Sequence, residues 1–266
     1  MDMHLILAGT GKTGRRIAQR LRAGNVPTRT AARGGADAGF DLGDPGTWGP
    51  ALAGVTAAYL VEPDLRAVRL PGFVTAAAAH GVRRLVLLSA PGAVHPQHPL
   101  FAVEAAVRAS GAAWTVLRPG WFAQNFTETG WREQLLGGEL ALPAGDGRTP
   151  FVDAEDIADV AVAALSTDRL AGAELGLTGP RALSFGAAVS QIAAATGRSM
   201  RFVDVDAETY VAREVAAGTA PAVARIMAGV FTALREGRDA GPQDGVERAL
   251  GRPPREFARY VAGIRW

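Results

Sequence analysis

Short apolar runs alternate, through the first two-thirds of the chain, with stretches whose apolar residues recur every three or four positions. Residues 4–8, 26–32, 57–61, 84–89, 114–117 and 174–178 read as strands. Between them, residues 47–53, 64–80, 100–110 and 124–136 read as helices, and Ile17, Ala18 and Leu21 form a helix face after the first strand. This alternation predicts a parallel sheet with helices on both faces. A helix also begins near Asp153, where Ile157, Val160 and Ala164 share a face; Asp153 and the nearby Asp156 read as capping residues more than as a carboxylate pair for catalysis. After residue 180 the pattern changes. Residues 184–196 read as a helix, 200–205 as a short strand, 208–237 as helix broken near Gly218 and Pro221, and 256–262 as a final helix.

The turn after the first strand carries Gly9, Gly11 and Gly14 in G-x-G-x-x-G spacing. In that position the first glycine permits a tight turn, the second lets backbone N–H groups approach a pyrophosphate, and the third lets helix and strand pack closely. The helix N-terminus then holds the phosphates. Gly9, Thr10, Gly11, Lys12, Thr13 and Gly14 are therefore candidate dinucleotide contacts, with a ligand-free glycine turn as the bland alternative. The fold class predicted is α/β: a Rossmann-like, doubly wound parallel sheet over residues 1–180, with a small, mainly helical C-terminal lobe over residues 181–266.

The second strand ends in Arg33, where folds that select NAD place a carboxylate for the ribose hydroxyls. A guanidinium matches a 2′-phosphate with two parallel hydrogen bonds, and Lys12 adds a second cation. The expected cofactor is NADP(H). Asp37 keeps NAD open, and Arg33 is also readable as an ordinary surface arginine. Asp41 and Leu42 suit the adenine. Ligands of such sheets lie outside the carboxyl ends of the strands, so Val61, Glu62, Pro63, Ser89, Ala90 and Pro119 join the candidate cofactor contacts.

Composition narrows the class. With 48% hydrophobic and 20% charged residues, the chain reads as a soluble globular protein. No apolar run is long enough for a transmembrane helix, and the immediate entry into a strand leaves no signal peptide. The absence of cysteine excludes disulfides, thiolate metal sites and a cysteine nucleophile. The expectation is a cytoplasmic monomer or homodimer with no membrane partner and no metal. A net charge of +2 without a basic, aromatic-interleaved cluster argues against nucleic acid.

The Lys-Thr-Gly turn, Arg33, RLVLLSA, the run EAAVRASGAAWTVLRPGWFAQNF (104–126), TPFVDAEDIADVAVAAL, LTGP and VERALGRPPREFARYV resemble the NmrA-like branch of the atypical short-chain dehydrogenases/reductases. The similarity spans nearly the whole chain and is closest to the ergot-alkaloid-type reductases and their bacterial relatives. Many relatives read T-G-A-T-G-K-T-G, whereas here Ala8 stands at their first glycine and Gly9 follows it. The resemblance implies an NADP(H)-binding domain with a C-terminal substrate lobe. It covers quinone, imine or iminium and other reductases, and also redox-sensing regulators with little catalysis.

Standard short-chain dehydrogenases use Tyr-x-x-x-Lys, where the lysine lowers the tyrosine pKa. Lys12 is the only lysine, and none of Tyr59, Tyr210 and Tyr260 has a lysine four residues on. The dyad is absent. His95 and His98 lie roughly where the family's tyrosine would sit; His98 is the candidate proton donor, with a loop histidine as the alternative. Glu104 suits either ligand orientation or a structural hydrogen bond. Trp121, Phe122, Gln124, Asn125 and Phe126, with Trp131 nearby, suit a wall for a flat apolar substrate, or equally a core between the two parts. The expected function is NADP(H)-dependent reduction of a hydrophobic imine or iminium, quinone or carbonyl compound. The rival is a non-catalytic NADP(H) sensor acting through a protein partner.

Overall fold

The computed structural model describes residues 2–238 and 241–264. Its strands in chain order are β1 (Met3–Leu7), β2 (Thr28–Ala32), β3 (Ala38–Gly39), β4 (Val55–Val61), β5 (Arg84–Leu88), β6 (Ala113–Pro119), β7 (Glu139–Leu142), β8 (Arg148–Thr149), β9 (Ala173–Leu177), β10 (Leu183–Ser184) and β11 (Arg201–Asp204). The α-helices are α1 (Lys12–Ala23), α2 (Trp48–Leu52), α3 (Leu70–Ala79), α4 (Leu100–Ala109), α5 (Asn125–Glu128), α6 (Trp131–Leu136), α7 (Ala154–Ser166), α8 (Phe185–Thr196), α9 (Ala207–Ala216), α10 (Pro221–Arg235), α11 (Gly245–Leu250) and α12 (Phe257–Ala262). Two compact units result. The first contains Met1–Gly120, Ala154–Leu177 and Asp244–Pro253; the second contains Trp121–Asp153, Thr178–Gln243 and Pro254–Trp266. The sequence suggested an approximate boundary near residue 180 with helices interleaving; the two units alternate along the chain from residue 121 onward.

The first unit is built on a seven-stranded sheet in the order β3-β2-β1-β4-β5-β6-β9, every pair parallel. Alternate strand residues point to opposite faces. Leu5, Leu7, Ala58, Leu60, Leu85 and Leu87 share a core with Leu52, Phe73, Val74, Val103 and Val107 of α2, α3 and α4. Ile6, Tyr59 and Val86, one residue out of step, are also fully buried, and α7 packs against α1, β4 and β5. The sheet is thus apolar on both faces, which is why its strands read as unbroken hydrophobic runs. Chain connections leave β1 toward β2 on one side and β4 on the other, so the carboxyl ends there form the crevice of a doubly wound sheet.

Several helices differ from expectation for local reasons. The helix read from residue 64 starts at Leu70, because the Glu62 carboxylate accepts the N–H groups of Arg69 and Leu70 at 2.8 and 2.9 Å. Pro71 fits the first turn, where no N–H is required. The helix read over 124–136 splits into α5 and α6 around Thr129 and Gly130. Asp156, in the first turn of α7, is fully buried and ion-paired with Arg252 at 2.7 Å, so it also anchors the segment after α11. Helix α11 itself carried no sequence expectation. It packs on β9 so closely that a Cβ on Gly245 would stand 2.3 Å from the Gly176 oxygen.

In the second unit β7 pairs with β11 in parallel and β8 with β10 antiparallel. Its core is aromatic: Phe126, Phe151, Phe185 and Phe231 are enclosed, with Trp121 and Trp131 packed against them. Ser184 caps α8, its Oγ accepting the Ala187 N–H at 3.1 Å.

Candidate functional site

The glycine turn joins β1 to α1, and Gly11 is the helix N-cap, with no side-chain cap hydrogen bond. The Gly9 N–H donates to the Ala31 oxygen at 3.3 Å, laying the turn on β2. A Cβ on Gly9 would stand 2.4 Å from the Thr30 Cβ, and one on Gly14 would stand 2.2 Å from the Ala8 oxygen. At Gly11 the corresponding approach is 3.1 Å. Close packing therefore demands glycine at the first and third motif positions. Ala8 takes the left-handed backbone conformation, with φ of 49°, at the position where many relatives carry glycine. The turn and the open helix end make a cradle of backbone N–H groups suited to a pyrophosphate.

Beside the turn lies a cavity of about 640 Å³, within the size range of small-molecule sites. Thr10, Gly11, Arg33, Asp41, Val61, Glu62 and Pro63 line it, as the sequence suggested for cofactor contacts. Gly9, Lys12, Thr13, Gly14, Ser89, Ala90 and Pro119 stand outside that lining. Phe40, Gly43, Asp64, Arg66 and Arg69 also line it, and none was anticipated. Phe40 sits beside Leu42 in a short apolar segment, a readable signal; Arg66 and Arg69 fell in a polar stretch taken for helix.

The charges of the cavity differ in freedom. Arg33 is exposed and lines it, one residue past β2. Asp37, which kept NAD open, is not in the lining. Its carboxylate accepts the Thr30 N–H at 2.7 Å and the Thr30 hydroxyl at 2.8 Å and pairs with Arg22 at 2.5 Å. These bonds, the Thr30 N–H foremost, hold its carboxyl below the usual range. Glu62 is similarly committed: its carboxylate caps α3, so its part in the cavity is to fix the wall.

Tyr59 is fully buried and donates to the Thr13 hydroxyl at 2.9 Å. Burial pushes its phenol far above the ordinary value. Tyr210 is raised to about 12, chiefly by burial, and Tyr260 shares a hydrogen bond with Thr127 at 2.9 Å. Neither Tyr59 nor Tyr210 has the setting of a lowered-pKa phenol. The Nδ1 of His98 accepts the Leu100 N–H at 3.2 Å at the start of α4. Burial holds its pKa below that of a free histidine. Its Nδ1 is thus engaged by the backbone at the start of α4, so the role of proton donor suggested by sequence would fall to Nε2.

Ser89 and Glu104 meet at 2.6 Å, both buried. Glu104 also accepts from Arg118 and Arg108, which in turn pair with Glu174. Of the two alternatives for Glu104, the structure shows the structural hydrogen bond.

The proposed aromatic wall belongs to the second unit. Trp121 stacks against both Trp131 and Phe231, with centroids 5.8 and 5.1 Å away. Phe126 has no exposed surface, and Gln124 is 3% exposed with its amide donating to Asp153 at 2.7 Å. Side chains so enclosed serve the core, which corrects their assignment to substrate. Trp121, Phe122 and Asn125 remain partly exposed. Among the described residues no cluster of acidic or histidine side chains could hold a metal ion, and no helix is long and apolar enough to cross a membrane.

Residues 8–168 match the NAD(P)H-binding family. The "Uncharacterized oxidoreductase YesF" of Bacillus subtilis is 36% identical over 270 residues, covering 97% of this chain and 93% of the relative. The "NAD(P)H azoreductase" of Xenophilus azovorans is 31% identical over 284 residues, covering 97% and 96%. Among solved structures, Citrobacter sp. triphenylmethane reductase complexed with NADP(H) superposes with a TM-score of 0.78 at 20% identity, covering 98% of this chain and 99% of that one.

Proposed function

The chain belongs to the NAD(P)H-binding family, and on that premise we propose that it is an NADPH-dependent reductase of flat, hydrophobic small molecules. Imines or iminium ions, quinones and carbonyl compounds are the classes considered. The observation that carries the cofactor choice is Arg33, exposed and lining the same cavity as Thr10 and Gly11 of the glycine turn.

The residues fit the cofactor. The glycine turn and the start of α1 offer N–H groups to the pyrophosphate. Arg33 offers a two-pronged contact to the 2′-phosphate, and Phe40 and Leu42 provide apolar surface for the adenine. When bound, the dihydronicotinamide supplies the hydride. The chain's own task is then positioning and exclusion of water. With no Tyr–Lys dyad, and with His98 capping α4, no side chain is assigned as acid. A substrate that arrives as an iminium needs none, and a quinone takes its protons from solvent. The NAD(P)H azoreductase among the similar proteins supports a conjugated, apolar substrate.

The test is NADPH oxidation against quinones, cyclic imines and aromatic aldehydes, alongside titration of NADP+ and NADPH. Turnover of at least one class is expected. Absence of turnover across the panel, with unequal affinity for the two cofactor forms, would replace this reading with a sensor.

A further inference from the structure

We propose that the amino edge of the seven-stranded sheet carries a second ligand site, separate from the cofactor cavity, which takes a small carboxylate with an apolar body. The inference concerns the first unit alone and does not rest on the dinucleotide reading.

A cavity of about 750 Å³ opens where the parallel strands begin, at the end of the sheet away from the glycine turn. Among the described residues, none lines both cavities. The floor is one row of the sheet. His4 pairs with Ala57, Ala57 with Arg84, and Arg84 with Ala113, across β1, β4, β5 and β6. Residues opposite one another in register share a face, and all four line the cavity. His4 and Arg84 therefore stand two strand spacings apart, roughly 10 Å between backbones, with only the Ala57 methyl between them. Leu165 near the end of α7, with Val26 and Pro27 ahead of β2, adds apolar wall.

The two polar side chains of the row offer protons. Arg84 is held from the helix side: its terminal nitrogens donate to the Thr167 oxygen at 2.6 Å and the Ala164 oxygen at 3.4 Å, and pair with Asp168 at 2.5 Å. These bonds offset the negative end of the α7 dipole. The Nε–H has no acceptor among the described residues, and the side chain is only 18% exposed. His4 is 7% exposed, and its Nδ1 is enclosed with no hydrogen-bond partner. The nitrogen it can present to the cavity is therefore Nε2. Burial, the main cause, holds the His4 pKa below that of a free histidine, so at neutral pH the ring is uncharged and carries one proton. An enclosed N–H without an acceptor is the rarer orphan, which places that proton on Nε2. Nothing in the fold uses it: a leucine would bury as well and leave no nitrogen unpaired.

The acidic groups stand at the rim. Asp168 is 88% exposed, and Asp2 pairs with an equally exposed Arg83 at 3.1 Å. Exposed pairs of this kind contribute little and yield to a competing anion. A half-buried guanidinium N–H and an imidazole N–H above an apolar floor match one carboxylate, with an oxygen for each donor. A carboxamide brings one acceptor oxygen and no charge.

Calorimetric titration with octanoate, benzoate and cinnamate, each beside its carboxamide, tests the site in the presence and absence of NADP+. At least one carboxylate should bind, about tenfold tighter than its amide, without competing with NADP+. His4→Leu should weaken it about tenfold, the loss of one hydrogen bond to a charged group. His4→Gln, whose amide nitrogen reaches the place of Nε2, should restore most of the affinity. Ala113→Leu should abolish binding by filling the floor while both donors stay in place. Arg84 is left unaltered because it holds the end of α7. Cooperative thermal unfolding shows that each variant is folded; if His4→Leu is not, His4→Gln and Ala113→Leu carry the test. No binding by any of the carboxylates, equal binding of acid and amide, competition with NADP+, or binding untouched by His4→Leu or by Ala113→Leu overturns the proposal. A protein without affinity for NADP+ would end the dinucleotide reading and leave the carboxylate titrations fully interpretable.

Discussion

The Tyr59 hydroxyl donates to the Thr13 hydroxyl at 2.9 Å, tying the centre of the sheet to the first turn of α1. A tyrosine on the sheet of a reductase invites a chemical role, but this one is enclosed and its phenol is driven far above the ordinary pKa by burial. It braces the glycine turn from beneath. Tyr59→Phe should lower stability by about 1 kcal/mol, the net value of a typical hydrogen bond, and leave the rate of NADPH oxidation nearly unchanged. Urea unfolding and a rate assay on the same preparation check both. A large loss of rate at unchanged stability would make the phenol chemical.

The two alanine–glycine positions at the start of the turn should respond with opposite signs. Ala8 holds φ of 49°, which costs an L-residue about 1–2 kcal/mol. Glycine relieves that strain but loses about 0.5–1 kcal/mol in chain entropy, so Ala8→Gly should be slightly stabilising. Gly9→Ala places a methyl 2.4 Å from the Thr30 Cβ and should destabilise by about 1–3 kcal/mol. Thermal unfolding of the two variants decides it; the same sign for both would show that the turn relaxes.

Arg33→Ala should weaken NADPH by about 10- to 100-fold, since hydrogen bonds to charged groups are worth about 1.5–3 kcal/mol. NADH affinity should change little. Arg66→Ala should do less, because Arg66 is exposed and paired with Asp64 at 3.0 Å. Fluorescence titration with both reduced cofactors measures this. Equal losses for NADPH and NADH would remove Arg33 from the 2′-phosphate.

Stability should fall on acidification below about pH 6.5, the free-histidine value. His98 and His4 both have lowered pKa values, burial being the main cause in each. A pKa lower in the folded than in the unfolded state means the unfolded chain binds the proton first. The contribution is full above the unfolded value and is lost as pH falls through the folded one. His98→Asn should flatten part of this slope, because an asparagine oxygen can accept the N–H two residues on without titrating. Urea midpoints at pH 7.5 and 5.5 test it. An unchanged slope in the variant would assign the effect to His4 or to other groups.

Much of the sheet was legible because its central strands β1, β4 and β5 are buried on both faces, and a short run such as RLVLLS has few other places to go. The glycine turn was legible for a related reason. Gly9 and Gly14 are required by contacts with Thr30 and Ala8, a strand and a few residues away, so the motif and its surroundings lie close in the chain. Arg33 followed from position alone, being the first residue past β2. The absence of a Tyr–Lys dyad needed only the single lysine.

What the chain order did not reveal depended on partners far along it. That Glu62, a candidate cofactor contact, also caps α3 was decided by where residue 70 returns. Whether Glu104 faced a ligand was decided by Arg118, which arrives on β6, and by Glu174, which arrives on β9. Phe126 has the same aromatic character in a substrate wall as in a core; only the packing of Phe151, Phe185 and Phe257 around it placed it inside. Hydrophobic pattern and backbone demand act locally and can be read from neighbours in the chain. Hydrogen-bond saturation and enclosure act through space, and so the tertiary structure alone determined which of the candidate residues still have an open valence.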